Sequence, residues 1–213
     1  MSNQSTSTDT KAKVVFLGHS LAKHLGRYVE ETCPNFGISE EQVAIKFVTR
    51  GGLKCENLLA DGRLDEVRAF HPDSVIIMVG DNDLNQHSTA RSVSSKIVDV
   101  LCELKHNLPT GTSITLAKIM PRDIYGTSRY HFQTYNELAD EVNGHLEEEL
   151  PRNFIFFKKW NFPSPCTNNV WNWRHCFSKD GVHLNDDGLR KMLLAFKKVV
   201  LSASIQKQNP VKV

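Results

Sequence analysis

The sequence predicts an α/β fold: a single domain in three layers, α/β/α, with a parallel five-stranded sheet between the helices. Three observations predict it. Short apolar runs rich in Val, Ile and Phe recur along the chain, helical periodicity fills the intervals between them, and polar loops, several with glycine, follow the runs. Such alternation requires crossover connections, which make neighbouring strands parallel and cover both faces of the sheet.

The elements follow in order. Lys13 to Leu17 (KVVFL) is an apolar run ending at Gly18, and Leu21, Leu25, Tyr28 and Val29 then share one side of a helix that reaches about Cys33. Val43 to Val48 (VAIKFV) reads as the second strand, and Glu56 to Phe70 as a helix interrupted near Gly62. Ser74 to Val79 (SVIIMV) is the most β-like run and is expected to be fully buried; a polar loop and a helix from Thr89 to His106 follow. Ser113 to Ile119 gives the fourth strand, Tyr130 to Leu150 a long amphipathic helix, and Phe154 to Lys158 the fifth strand. Asn185 is a good N-cap for a last helix from Asp186 to Ser202.

With 213 residues, 40% apolar, the chain can bury one sizeable core, since a unit this long hides roughly 70% of its unfolded surface. The expected domain spans residues 12–204, between a disordered polar leader, 1–11, and a tail, 205–213. A net charge of +2 from 26 basic and 24 acidic residues does not indicate nucleic acid as a partner. Cys33, Cys55, Cys102, Cys166 and Cys176 are odd in number and lack CxxC spacing, so reduced thiols are expected. The leader has no apolar core that could act as a secretory signal, and no run approaches the roughly 20 apolar residues a membrane span needs. A soluble, cytoplasmic product is expected.

Four short stretches are each expected just after a strand, at its carboxyl end: Gly18-His19-Ser20-Leu21, Gly51-Gly52, Gly80-Asp81-Asn82-Asp83 and Asp180-Gly181-Val182-His183. Taken singly each has an ordinary explanation: a serine opening a helix caps it, glycine after a strand turns the chain, and Asn-Asp pairs are loop chemistry. Their conjunction is more informative. Doubly wound sheets collect ligands beyond the carboxyl ends of their strands where strand order reverses. With the flavodoxin-like order 2-1-3-4-5, the reversal falls between the strands followed by Ser20 and Asn82.

The pattern resembles the SGNH, or GDSL-type, hydrolase family of serine esterases and lipases, over about Lys13 to Ser202. The resemblance implies Ser20 in GHSL as nucleophile, His183 in DGVHL as base and Asp180 as the carboxylate that orients it. It implies an oxyanion hole from the Ser20 N–H, the Gly52 N–H in TRGG and the Asn82 amide in GDND. Each role suits its residue. A hydroxyl attacks only if a base takes its proton, imidazole titrates near neutrality, and the imidazolium that forms needs a nearby negative charge. Gly52 offers an N–H with no obstructing side chain, and Gly51 competes for that role. The implied reaction is metal-independent carboxylic ester hydrolysis through an acyl-serine, on small-molecule, lipid or carbohydrate esters and preferentially short acyl groups, with no cofactor. A silent binding module and an acyltransferase to an alcohol remain as alternatives.

The family's first block usually reads Gly-Asp-Ser, whereas this chain has Gly18-His19-Ser20. His19 is expected to fill a structural position and donate a hydrogen bond to a loop; tuning of the site's pH response is the sharper alternative. Asp81 and Asp83 are expected to brace their loop by local hydrogen bonds. Pro163, Pro165, Trp171 and Trp173 could wall a pocket, or pack beneath a loop, and Cys166, His175 and Cys176 lack the spacing and fourth ligand of a zinc site. Arg122 and Arg129, with Tyr125 between them, fall near the expected pocket rim, where they could meet a charged substrate group. GHSLAKHL and VGDNDL are also similar to esterase modules of animal retrotransposons and related mobile elements, which would make this chain part of a longer protein.

Overall fold

A computed structural model describes residues 11–123, 132–158 and 174–208. The expected leader up to residue 10, together with Tyr125, Arg129, Tyr130, Pro163, Pro165, Cys166, Trp171, Trp173 and Lys212, lies outside them. The sheet contains β1 (Ala12–Gly18), β2 (Val43–Thr49), β3 (Ser74–Met78), β4 (Ser113–Ala117) and β5 (Ile155–Phe157), in the order β2-β1-β3-β4-β5. Every strand pair is parallel, as the crossover connections require. The helices are α1 (Ser20–Thr32), α2 (Arg63–Phe70), α3 (Ala90–Asn107), α4 (Phe132–Glu149) and α5 (Asp186–Gln208).

Alternation along the strands divides the core between the two faces of the sheet. Val14 and Phe16 of β1 and Ile76 of β3 pack beneath α1 and α5, against Leu25, Val29, Phe196 and Val200. Val15, Leu17, Val75 and Ile77 face the other way, towards α2, α3 and α4, against Val67, Ile97, Leu101 and Val142. β3 is buried along its whole length because it is central and covered on both faces. Phe16, Phe36 and Phe47 form a cluster of near-parallel rings, with Phe36 and Phe47 centroids 5.4 and 4.8 Å from that of Phe16, and Phe16 meets Phe196 edge-on at 5.3 Å.

Three expectations change. The stretch from Glu56 to Phe70 breaks at Gly62 as expected, where a left-handed backbone (φ +74°) precedes α2, but the part before the break is a 3-10 turn, Cys55–Asn57, and not helix. The last helix continues past Ser202 to Gln208, because Ala203 and Ser204 still reach the core. The fourth strand ends at Ala117, and the chain from Ile119 to Arg122 is held by side chains of α4 instead of strand pairing. Four of the cysteines, Cys33, Cys55, Cys102 and Cys176, are free thiols. No helix among the described residues is long and apolar enough to cross a membrane.

Gly18 fixes how β1 and β3 end. It pairs with Thr49 on one side and Met78 on the other, so the strands before the Ser20, Gly51-Gly52 and Asn82 loops finish level. A Cβ at Gly18 would stand 2.4 Å from the Met78 carbonyl oxygen, which belongs to backbone and cannot swing away. Gly18→Ala is therefore expected to destabilise the protein by about 1–3 kcal/mol, read by urea denaturation; an unchanged midpoint would show that the two strand ends are free to separate.

Candidate active site

Ser20 is the first residue of α1 and does not cap it. The cap is His19, whose Nδ1 accepts the Leu21 N–H at 3.3 Å. This leaves the Ser20 hydroxyl uncommitted to the helix, and it meets Nε2 of His183 at 3.1 Å. On the far side of the ring, Nδ1 of His183 lies 2.7 Å from Oδ2 of Asp180. A ring that donates from Nδ1 to a carboxylate presents the Nε2 lone pair to the hydroxyl, so Ser20 donates and His183 accepts.

The loop carrying Asp180 and His183 is shaped by its own short sequence. Oδ1 of Asp180 accepts the amides of Val182 and His183, both at 2.9 Å, in an Asx-type turn through Gly181, whose φ is +68°. The Ser178 amide donates to the His183 carbonyl at 2.8 Å, and Phe177 and Leu184 form an antiparallel bridge beside it. Asn185 then caps α5 by accepting the Gly188 N–H at 3.1 Å, and its amide ties back to the carbonyls of His175 and Phe177. Partial burial would raise the Asp180 carboxyl, but the hydrogen bonds from the His183 ring and from the His183 and Val182 amides outweigh it and hold the group below the usual carboxylate range. Asp180 is thus ionised beside the imidazole at neutral pH.

Asn82 lines the same cleft as Ser20 and His183. One N–H of its amide donates to the Leu53 carbonyl at 2.9 Å, which fixes the amide plane and leaves its second N–H. Asp83 is buried and accepts the Cys55 amide at 3.0 Å, so it joins this loop to the segment after Gly52. Gly51 and Gly52 form an exposed turn after β2, and of the two only Gly52 has a left-handed backbone, φ +69°. Neither lines the cleft. The structure therefore brings Ser20, Asn82, Asp180 and His183 together but leaves Gly52 at the periphery.

A second network borders the cleft, and in it His19 makes the hydrogen bond to a loop that was expected of it. Asp81 is braced over long range and not within its own loop: its Oδ2 accepts Nε2–H of the buried His19 at 2.7 Å, 62 positions away. The other carboxylate oxygen is 3.3 Å from the Tyr135 hydroxyl, and the Arg122 guanidinium stacks over the Tyr135 ring at 3.8 Å. Burial alone would raise the Asp81 carboxyl, yet the facing His19, its hydrogen bond and the Arg122 charge hold it below the usual range. Arg122 is thus in the cleft lining, as expected of the rim, but engaged with the protein's own groups. The two side chains that hold its segment, Asn136 and Asn143, lie two turns apart on α4: Asn136 brackets the Arg122 backbone at 2.8 and 2.9 Å, and Asn143 brackets Ile119 at 2.8 and 3.0 Å. The spacing of seven was a readable signal, though their partners were not. His24 is another residue the sequence reading passed over; its ring lies against that of His183.

A hydroxyl, an imidazole and a carboxylate thus stand in relay beside the ends of β1 and β3, although the expected strand before Asp180 and His183 is absent among the described residues and their loop runs from the 3-10 turn Arg174–Cys176 to α5. Residues 4–191 match the model of the GDSL-like Lipase/Acylhydrolase family, and the chain belongs to that family. Solved structures sharing its fold include a lipase/acylhydrolase from Enterococcus faecalis, 17% identical over 92% of this chain and 96% of that one, TM-score 0.62. A GDSL-like lipase from Bacteroides thetaiotaomicron is 18% identical over 90% and 88%, TM-score 0.63. An acetyl esterase with its serine changed to alanine, solved with acetate ion, is 15% identical over 92% and 99%, TM-score 0.61. Among curated proteins none matches this chain.

The His19–Asp81 pair makes a stability test. Because the folded carboxyl sits below its ordinary value of 3.8, its contribution is complete above that pH and is lost as pH falls through the folded value. Asp81→Asn is expected to cost about 1–3 kcal/mol at neutral pH and to flatten the fall in stability below the ordinary carboxylate range, followed by urea denaturation at a series of pH values. Parallel pH profiles for parent and variant would remove the pair from the account.

Proposed function

We propose that this protein is a metal-independent carboxylic ester hydrolase that works through an acyl-serine intermediate. The observation that carries the reading is the relay from Ser20 Oγ to His183 Nε2 at 3.1 Å and from His183 Nδ1 to Asp180 at 2.7 Å. His183 takes the Ser20 proton as the oxygen attacks the ester carbonyl, and Asp180 steadies the imidazolium that results. The tetrahedral intermediate expels the alcohol, which receives that proton from His183. Water then enters and gives a proton to the same ring as its oxygen attacks the acyl carbon; the second tetrahedral intermediate collapses to the acid, and His183 returns that proton to the departing Ser20 Oγ.

The negative charge on the carbonyl oxygen needs donors. The Ser20 N–H at the start of α1 adds the positive end of the helix dipole, and the spare N–H of Asn82 borders the same cleft. We assign Gly52 as the third donor; its left-handed backbone accounts for glycine there, and reaching the oxyanion would require its turn to close over the substrate. We take short acyl groups such as acetyl as the preferred substrates, since the sequence offers no obvious apolar lid segment to cover a long chain. An acetyl esterase among the structures sharing this fold is in keeping with that preference.

A fluorophosphonate probe is expected to label the parent at Ser20 and to leave Ser20→Ala unlabelled. With a panel of p-nitrophenyl esters of increasing chain length, Ser20→Ala and His183→Ala are expected to lower kcat by about 10^4 or more and Asn82→Ala by about 10^2–10^3. Labelling that persists in Ser20→Ala would defeat the assignment, and an unchanged kcat in Asn82→Ala would take that amide out of the oxyanion hole. An acetate ester turned over no faster than longer esters would overturn the short-acyl preference.

A further inference from the structure

His24 sits four residues after Ser20, so the two side chains leave α1 on the same face. Its imidazole lies against that of His183, with ring centroids 4.6 Å apart and planes tilted by 31°. That contact answers a mechanical need. Asp180 and Ser20 grip His183 at Nδ1 and Nε2, and both bonds lie close to the ring plane. Two in-plane bonds fix where the ring sits, but they leave it free to roll about the line joining its two partners. A flat group on the ring face removes that freedom, and the His24 ring is such a group.

We propose that His24 is a positioning residue for the reaction set out above: its ring backs the face of His183 and keeps the Nε2 lone pair aimed at the Ser20 hydroxyl. The inference rests on the reading of His183 as the general base. The charges around the pair are consistent with a neutral wall. Partial burial lowers the His24 pKa first, then the facing His183, with Arg27 and Lys23 of α1 acting in the same direction and Asp180 against them. His24 therefore presents an uncharged π face to the imidazolium that forms on His183 during attack, an arrangement that favours the cation. A fixed positive charge in its place would oppose the same step.

The test uses the full chain with His24→Ala, His24→Phe and His24→Lys. kcat and KM for p-nitrophenyl acetate are measured per site titrated with the fluorophosphonate, so that a misfolded fraction does not enter the rates. His24→Ala is expected to lower kcat about tenfold with KM within about twofold, His24→Phe to recover kcat to within about threefold of the parent, and His24→Lys to be at least as slow as His24→Ala. A His24→Ala protein within about twofold of the parent, or a His24→Phe protein as slow as His24→Ala, would overturn the proposal. A second readout needs no turnover: the downfield NMR signal of the His183 Nδ1–H should persist in the parent and in His24→Phe and broaden by exchange in His24→Ala. Its survival in His24→Ala overturns the positioning role. A parent that neither labels nor hydrolyses any ester, by contrast, overturns the esterase reading.

Discussion

The bond between the Ser20 hydroxyl and the His183 ring joins positions 163 apart in the chain, and the proposed chemistry depends on it. Such a bond contributes about 1 kcal/mol net, far too little to gather the loops that carry its two ends. The scaffold does that work. β1 and β3 lie side by side and end level, which puts the first turn of α1 next to the Asn82 loop. The Asp180–His183 loop arrives from the other end of the chain, anchored to the start of α5 through Asn185 and to the segment after β4 through the amide of Asp123, which donates to Gly181 at 2.8 Å. Core packing on both faces of the sheet sets these positions, and the weak bond reports that they are right.

Two carboxylate–imidazole pairs lie close together with separate duties. Asp180 and His183 are partly exposed and face the hydroxyl, whereas Asp81 and His19 are largely buried beneath it. The buried pair ties the residue before Ser20 to the residue before Asn82, so the two loops that border the cleft are joined directly. It also accounts for the departure from Gly-Asp-Ser: an aspartate at position 19 would confront Asp81, whereas histidine there both caps α1 through Nδ1 and donates to Asp81 through Nε2. Arg122 supplies the positive charge that a buried carboxylate needs. The imidazole beside the serine belongs to the frame of the site, and the imidazole that stacks on the base, His24, comes from one turn further along the same helix.

Much of the fold could be read from the chain because short-range rules decide it. Alternating apolar runs and helical periods gave five strands in the right places, Thr89 and Asn185 cap the helices that follow them, and Gly62 breaks the chain where its left-handed backbone requires. The turn from Asp180 to His183 is equally local, since its carboxylate bonds to amides only two and three positions away. Where the reading slipped, a local rule met a distant partner. Asp81 and Asp83 were expected to brace their own loop, and they bond instead to the His19 ring and the Cys55 amide; the part of the expected helix before Gly62 is a 3-10 turn.

The sequence by itself determined the elements, their alternation and the residue types able to run the chemistry, because each follows from sterics and hydrogen bonds within a few residues. Only the tertiary structure decided which of those residues meet. The pairing of His19 with Asp81, the brackets of Asn136 and Asn143 on the segment after β4 and the ring of His24 on His183 are contacts between segments that no spacing rule relates. They arise when the strands take their register and the helices settle on the two faces, a choice made by the whole buried surface at once.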